Sequence, residues 1–171
     1  MTPPARARVR AERPDDLAAI RDVVVDAFGR PDEADLVDRL RAHGRIAVSL
    51  IAEEDGSVFG QVVFAVAHIG DVAVLALAPL SVAADARGRG IGSRLIREGL
   101  ARAGRRTEPL AVVLGSSSYY QRFGFRPARE FGIRGPDPSW GDALQALGLP
   151  AYRPVEGELV YPPEFEETGT L

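Results

Sequence analysis

The chain has no cysteine and no lysine; all 21 of its basic residues are arginine. Without cysteine it cannot carry a disulfide scaffold, a thiolate metal site or a covalent cysteine mechanism. Without lysine it cannot carry a Walker phosphate loop, which closes on Gly-Lys-Ser/Thr. Histidine is scarce too, at two residues, and no cluster of ligand-type side chains suggests a metal. No apolar run approaches the ~20 residues a membrane span requires, and Met1 to Arg6 lacks an apolar export segment, so a cytoplasmic location is expected. The net charge of -3 argues against general nucleic-acid binding. No repeat, low-complexity tract or linker divides the chain. Its 171 residues are expected to form one domain, 1–171, that buries roughly 70% of its unfolded surface.

The stretch from Leu75 to Leu100 organises what remains. From Val72 to Ala78 both alternating faces are apolar, Val72, Val74 and Ala76 on one and Ala73, Leu75 and Leu77 on the other, as in a mid-sheet strand covered on both sides. Pro79 cannot donate a ladder hydrogen bond, so it predicts a bulge or the end of pairing near Ala78 to Leu80. Arg87-Gly88-Arg89-Gly90-Ile91-Gly92-Ser93 follows, and then Ile91, Leu95, Ile96, Leu100 and Ala103 recur at helical spacing. Three glycines remove Cβ atoms and permit positive φ, so the amides of residues 88–93 can converge on one group. A helix start adds unsatisfied N–H groups and a positive dipole, which selects an anion, with Arg87 and Arg89 adding charge beside it. The competing reading is a flexible turn with solvated arginines; the strand before and the helix after favour the phosphate. A dinucleotide fold does not fit, because the next strand, Leu110 to Leu114, ends in Gly115 and Ser116 rather than in an acidic residue.

The rest of the chain reads in order. Ala7 to Glu12 predicts a strand, and Pro14 to Phe28 a helix with Leu17, Ile20, Val24 and Phe28 as its inner stripe. Glu33 to Ala42 predicts a second helix ended by Gly44, with His43 near its C-terminal cap. Ile46 to Ala52 and Val58 to Ile69 predict a hairpin around Gly56. After Leu114, Gly115-Ser116-Ser117-Ser118 opens a short helix. It lacks the Gly-x-Ser-x-Gly elbow of a nucleophilic serine, and helix capping is the role expected there. Tyr119 and Tyr120 lie on that helix about 100° apart, so they cannot face the same way. Phe131 to Arg134 predicts a strand, Ser139 to Leu147 a short helix capped by Ser139 with Asp142, and Glu158 to Tyr161 a last strand.

Two motifs carry a resemblance. Arg87-x-x-Gly90-x-Gly92, behind Leu80-x-Val82, resembles the acyl-CoA motif of the GNAT N-acetyltransferase superfamily, Gln/Arg-x-x-Gly-x-Gly/Ala. Tyr120-Gln121-Arg122-Phe123-Gly124-Phe125 resembles the family's Tyr-x-x-x-Gly-Phe, and Tyr161-Pro162-Pro163-Glu164-Phe165 is similar to the ending of a bacterial branch. The resemblance implies an α/β (α+β) fold: a mixed, mostly antiparallel sheet of about six to seven strands flanked by helices, its fourth and fifth strands splayed. It implies acetyl-CoA as cosubstrate, held by Leu80, Val82, Arg87, Gly88, Arg89, Gly90, Ile91, Gly92 and Ser93. The Leu80 amide would face the thioester carbonyl, and Tyr120 would protonate the departing thiolate.

Direct acetyl transfer to an amine of a small molecule or protein is therefore the expected activity. The partners expected are acetyl-CoA and an amine acceptor, with neither nucleic acid nor membrane, and a homodimer is one arrangement left open. An amine of pKa ~10.4 is almost wholly protonated at pH 7, so a base or a desolvating pocket matters. Some family members carry a glutamate where this chain has Ala76, so the base is expected elsewhere or acting through water, with His68 a candidate beside the commoner reading of a structural histidine. The loops 135–138 and 149–154 are expected to help shape the acceptor pocket, and Trp140 either to line it or to serve in packing. The alternatives are a non-catalytic acyl-CoA-binding regulatory module, which would not need Tyr120, and a nucleotide-binding protein of unrelated fold.

Overall fold

The computed structural model describes residues 7–171; the segment 1–6, on which the export expectation falls, lies outside them. Strand β1 (Arg8–Ala11) leads through a 3-10 turn at Pro14–Asp16 into helices α1 (Leu17–Phe28) and α2 (Asp32–Ala42). Strands β2 (Ile46–Glu54), β3 (Ser57–Ile69) and β4 (Val72–Val82) then form an antiparallel meander. Gly56 and Gly70 turn it, with φ of +78° and +57° that a residue bearing a Cβ rarely adopts. Helix α3 (Ile91–Ala103), strand β5 (Leu110–Leu114) and the one-turn helix α4 (Ser117–Tyr120) follow. Short strands β6 (Arg126–Pro127), β7 (Ile133–Arg134), β8 (Leu144–Gly148) and β9 (Gly157–Val160) and the one-turn helix α5 (Glu164–Glu167) complete the order.

The sheet runs β1-β2-β3-β4-β5-β8-β6, with β9 joining the end of β3 and β7 pairing with β9. Among the described residues only the β4–β5 and β7–β9 pairs are parallel. This is the expected mixed, mostly antiparallel sheet, extended by short strands to nine among the described residues. On one face α3 packs Ile91, Leu95 and Ile96 against Phe64, Leu75 and Leu77. Gly99 makes that approach possible, because a Cβ on it would fall 2.4 Å from Phe64 Cε2. On the other face α1 and α2 cover Ile51, Val63 and Ala65, while β7, β9 and Trp140 cover Ala76, Val112 and Leu144.

Pro79 acts as its chemistry requires. Val62 is opposite Leu80 and Phe64 opposite Leu77, so Val63 faces both Ala78 and Pro79 in a bulge. Pairing with β3 resumes beyond the bulge and continues to Val82. Pairing with β5 does not; it is confined to Leu75 with Ala111 and Ala76 with Val112. From there β4 and β5 part, as expected.

Two local expectations are corrected. The α1 stripe is Ile20, Val23 and Val24, while Leu17 and Phe28 are 37% and 40% exposed. Residues 139–147 do not form one helix: Pro138–Ala143 is a 3-10 segment capped by Asp137, whose carboxylate accepts from the Ser139 amide at 2.8 Å, and Leu144 onward is β8. A strand wins there because β5 has an open edge, and all five β8 residues pair with it. His43 is the C-cap of α2, as expected, its amide donating to the Arg39 carbonyl at 3.0 Å, and its Nδ1 sits 2.7 Å from the buried Glu164 Oε1, joining α2 to α5.

Candidate active site

The gap left where β4 parts from β5 continues into the turn before α3, and the two together form a cleft of about 480 Å³. Leu80 and Val82 line it from β4, Gly90 to Ser93 from the helix start, and Ala27 and Phe28 from the end of α1. Gly88 and Gly90 hold φ of +76° and +75°. Gly90 is the N-cap of α3, its carbonyl accepting from the Arg94 amide at 3.1 Å. A Cβ at either glycine would meet no protein atom within 4 Å, so the space above them is open to a ligand. The first amides of α3 have no partner within the helix, and the dipole adds positive potential. An anion can bind here, and a chain attached to it can run along the unpaired edge of β4.

The arginines divide. Arg87 lines the cleft, but its Nη2 donates to the Ala27 carbonyl at 2.9 Å, closing the C-terminus of α1. Arg89 turns away and pairs with Glu54 at 2.6 Å while lying over the Phe59 ring. Arg122, which the motif reading passed over, lines the cleft and stacks on Tyr119, its guanidinium 4.5 Å from the ring centroid. Its position in Tyr-x-x-x-Gly-Phe was the available signal: two residues after Tyr120, it lies three after Tyr119, on the same helix face.

The tyrosines face different ways, as their spacing requires. Tyr119 lines the cleft, and its hydroxyl lies 3.1 Å from where a Cβ on Gly92 would sit. Tyr120 is not part of the cleft wall. Its ring covers Gly115 at the end of β5, where a Cβ would fall 2.7 Å from Cε2, and it meets Phe125 edge-on at 5.9 Å. Burial, with Tyr119 adding, pushes the Tyr120 phenol up to about 12, so it stays protonated. Neither hydroxyl has a hydrogen-bond partner among the described residues. Ser116 occupies the N-cap position of α4, but its hydroxyl faces Ser118 Oγ at 3.0 Å rather than capping the helix.

Among the described residues no carboxylate or imidazole lines the cleft. His68 is corrected as a base: it is exposed at the end of β3 opposite Ala73, seven residues of strand from Leu80, or about 23 Å at 3.3 Å per residue. The loop 135–138 and Trp140 line a second cavity, of about 380 Å³. It opens on the face of the sheet that carries Val74 and Ala76, opposite α3. The loop 149–154 takes no part in it. No helix among the described residues is long and apolar enough to cross a membrane.

Comparison with known proteins agrees with this geometry. The family model of the GNAT acetyltransferase domain matches residues 45–127, from the start of β2 through β6. The uncharacterized N-acetyltransferase YhbS of Escherichia coli K12 is 32% identical over 162 residues, covering 92% of this chain and 97% of YhbS. The uncharacterized N-acetyltransferase YjhQ of the same organism is 37% identical over 130 residues, 72% of each chain. The crystal structure of Escherichia coli YhbS with CoA superposes with a TM-score of 0.90 at 31% identity, over 97% of this chain and 95% of YhbS. A GNAT family acetyltransferase from Brucella melitensis, with acetyl-CoA, superposes with a TM-score of 0.80 at 35% identity, over 94% of this chain and 99% of its own. With the glycine cradle at α3, the parted β4–β5 pair and full-length likeness all present, the chain belongs to the GNAT family of N-acetyltransferases.

Proposed function

We propose that residues 1–171 act as one cytoplasmic N-acetyltransferase domain that moves the acetyl group of acetyl-CoA directly to an amine. The observation that carries this reading is the continuity of the α3 cradle with the unpaired edge of β4, one cleft shaped for a diphosphate and the arm attached to it. The CoA in YhbS and the acetyl-CoA in the Brucella melitensis relative support the identity of that ligand. In this reading the diphosphate lies on the amides of residues 88–93, with Arg87 leaving the Ala27 carbonyl to join it. Arg89, paired with Glu54, stands at the rim, and Arg122 adds a cation from the opposite wall. The Val82 amide takes the pantetheine, and the Leu80 amide the thioester oxygen.

The amine nitrogen attacks the carbonyl carbon, the N–C bond forms and the C–S bond breaks with its electron pair going to sulfur. The ammonium of the free acceptor loses two protons in all, one to the thiolate and one to solvent. Tyr120 is the proposed proton donor, because burial keeps its hydroxyl protonated and its ring is fixed at the end of β5 where the strands have parted. The place of Tyr119 on the cleft wall supports a second reading, in which that residue delivers the proton. Calorimetry with CoA, NAD and ATP, followed by thiol release from acetyl-CoA with a panel of amines, tests the proposal. CoA should bind tightest and at least one amine should be acetylated; tighter binding of either nucleotide would overturn it.

A further inference from the structure

Gln145 is a polar side chain left only 1% exposed, in a strand where its neighbours Leu144 and Ala146 are buried and apolar. In β8 it is opposite Val113 of β5 on one side and Pro127 of β6 on the other, and it shares the face of the sheet that Val113 turns towards α3. An amide buried there has lost its water and needs protein acceptors for its donors. Its Nε2 donates to the Gly115 carbonyl at 3.2 Å and to the Ala143 carbonyl at 3.4 Å, and the same Ala143 carbonyl accepts from the Gly115 amide at 3.0 Å. The ladder between β5 and β8 ends at Leu114 with Leu144. Gln145 therefore carries the tie one residue beyond the ladder, to Gly115.

Gly115 is what the Tyr120 ring rests on. A Cβ there would fall 2.7 Å from Tyr120 Cε2 and 3.4 Å from Cδ2, and Phe125 closes the ring edge-on from another side at 5.9 Å. With no hydrogen-bond partner on its hydroxyl among the described residues, the ring is held by packing alone. The segment that leads to it offers little support of its own. Ser116, Ser117 and Ser118 are exposed, so no buried side chain anchors the chain between Gly115 and Tyr119. The Tyr120 amide donates to the Ser116 carbonyl at 3.0 Å, which ties α4 back to the residue after Gly115. The Tyr120 ring is thus as well placed as the Gly115 backbone, and Gln145 fixes that backbone.

We infer that Gln145 is a positioning residue for the proton transfer: its amide fixes Gly115, and through Gly115 the ring whose hydroxyl serves the departing thiolate. The inference rests on the reading of Tyr120 as proton donor and adds the group that holds it. Gln145 itself makes and breaks no covalent bond. An apolar side chain of similar size would fill its place in the core without a desolvated amide, but would leave the Gly115 carbonyl without this donor and the turn free to shift. A misplacement of about 1 Å in a reacting group can cost about 10²-fold in rate, so small freedom at Gly115 is enough to matter.

The test uses Gln145→Met, which keeps the unbranched shape and removes the donors, and Gln145→Asn, which keeps the amide but draws it back by one methylene. With acetyl-CoA saturating and an amine that the wild type acetylates, each should lower kcat by about tenfold or more at unchanged CoA affinity. In a Tyr120→Phe background neither should lower kcat further, because the group they position is gone. A merely structural role would lower kcat by the same factor in both backgrounds. NMR of the tyrosine rings reads the placement without turnover. The Tyr120 resonances, assigned by their loss in Tyr120→Phe, should shift in both Gln145 variants while those of Tyr152 and Tyr161 hold. Wild-type kcat in the folded variants, an equal loss in the Tyr120→Phe background, or unmoved Tyr120 resonances would overturn the inference; should Gln145→Met fail to fold, Gln145→Asn decides alone. Full activity in Tyr120→Phe would overturn the proton-donor reading instead, and the ring resonances would still decide whether Gln145 holds Tyr120.

Discussion

The Tyr119 hydroxyl lies 3.1 Å from the point a Cβ on Gly92 would occupy, with Val82 Cγ2 and Leu80 Cδ2 3.6 and 3.8 Å from the same point. Gly92 therefore sets the width of the cleft between α3, β4 and α4. Gly92→Val should fold, because position 92 has ordinary helical backbone, but should lose CoA affinity by about tenfold or more as the branched side chain displaces Tyr119 and narrows the cleft. Gly90→Val should also lose CoA, with a further stability cost of about 1–3 kcal/mol for a branched residue at φ +75°. Calorimetry with CoA and urea unfolding of both variants check this; unchanged CoA affinity in either folded variant would remove the cradle assignment.

Tyr120→Phe should keep CoA affinity and lower kcat by ~10² to 10⁴, the usual contribution of a general acid, while Tyr119→Phe should have the smaller effect. Steady-state kinetics on the pair decides between them. A larger loss in Tyr119→Phe would assign the proton to the residue on the cleft wall, and full activity in both would remove the acid from the mechanism.

Among the described residues no carboxylate or imidazole lines the cleft, so the acceptor is expected to arrive neutral. For an alkylamine of pKa ~10.4, kcat/KM should then rise about tenfold per pH unit from pH 6 to 9. A plateau below pH 8 would reveal a protein base outside the cleft wall.

Alkaline stability should report the buried phenols. Burial, with Tyr119 adding, raises Tyr120 from 10.0 to about 12, and burial raises Tyr161 in the same direction. Above pH 10 the folded state keeps protons that the unfolded state has released. The stabilisation is complete below 10 and is lost as pH climbs towards the folded values. Urea unfolding at pH 9 and pH 11 should show wild type losing about 1 kcal/mol through Tyr120 alone, a loss that Tyr120→Phe lacks. Identical pH dependence in wild type, Tyr120→Phe and Tyr161→Phe would contradict the burial argument.

Gly99→Ala should destabilise the protein. Helix propensity favours Ala over Gly by about 1 kcal/mol, but the added Cβ falls 2.4 Å from the Cε2 of a wholly buried Phe64 ring. Overpacking of that kind costs about 1–3 kcal/mol and should win. A rise in the urea midpoint would show that Phe64 has room to move.

The central part of the fold was legible because its signals are local: Pro79 marks the bulge, the glycines of 88–92 mark the turn, and Leu95 and Ile96 mark the face of α3. What stayed hidden depends on distant partners. Trp140, Leu144 and Leu147 recur at helical spacing, and only the open edge of β5 makes Leu144–Gly148 a strand. Arg87 looked free, although its guanidinium holds the Ala27 carbonyl sixty residues earlier in the chain. Adjacent tyrosines on a helix must diverge, but which of them would face the cleft depended on Gly92 and Gly115, which lie on α3 and at the end of β5.

The bulge at Ala78 and Pro79 is also an odd–even switch. Before it, odd-numbered Leu75 and Leu77 face α3; after it, even-numbered Leu80 and Val82 do, because Leu80 stays opposite Val62. An unbroken pleat through the same residues would send Pro79 and Ser81 into the cleft and turn Leu80 and Val82 towards α1. Changes in chain length are therefore not equivalent along β4. Losing one residue at 78–79 would restore a regular ladder and leave Leu80 on its face, whereas losing one after Leu80 would reverse every residue that follows. The orientation of the site is inherited as a residue count.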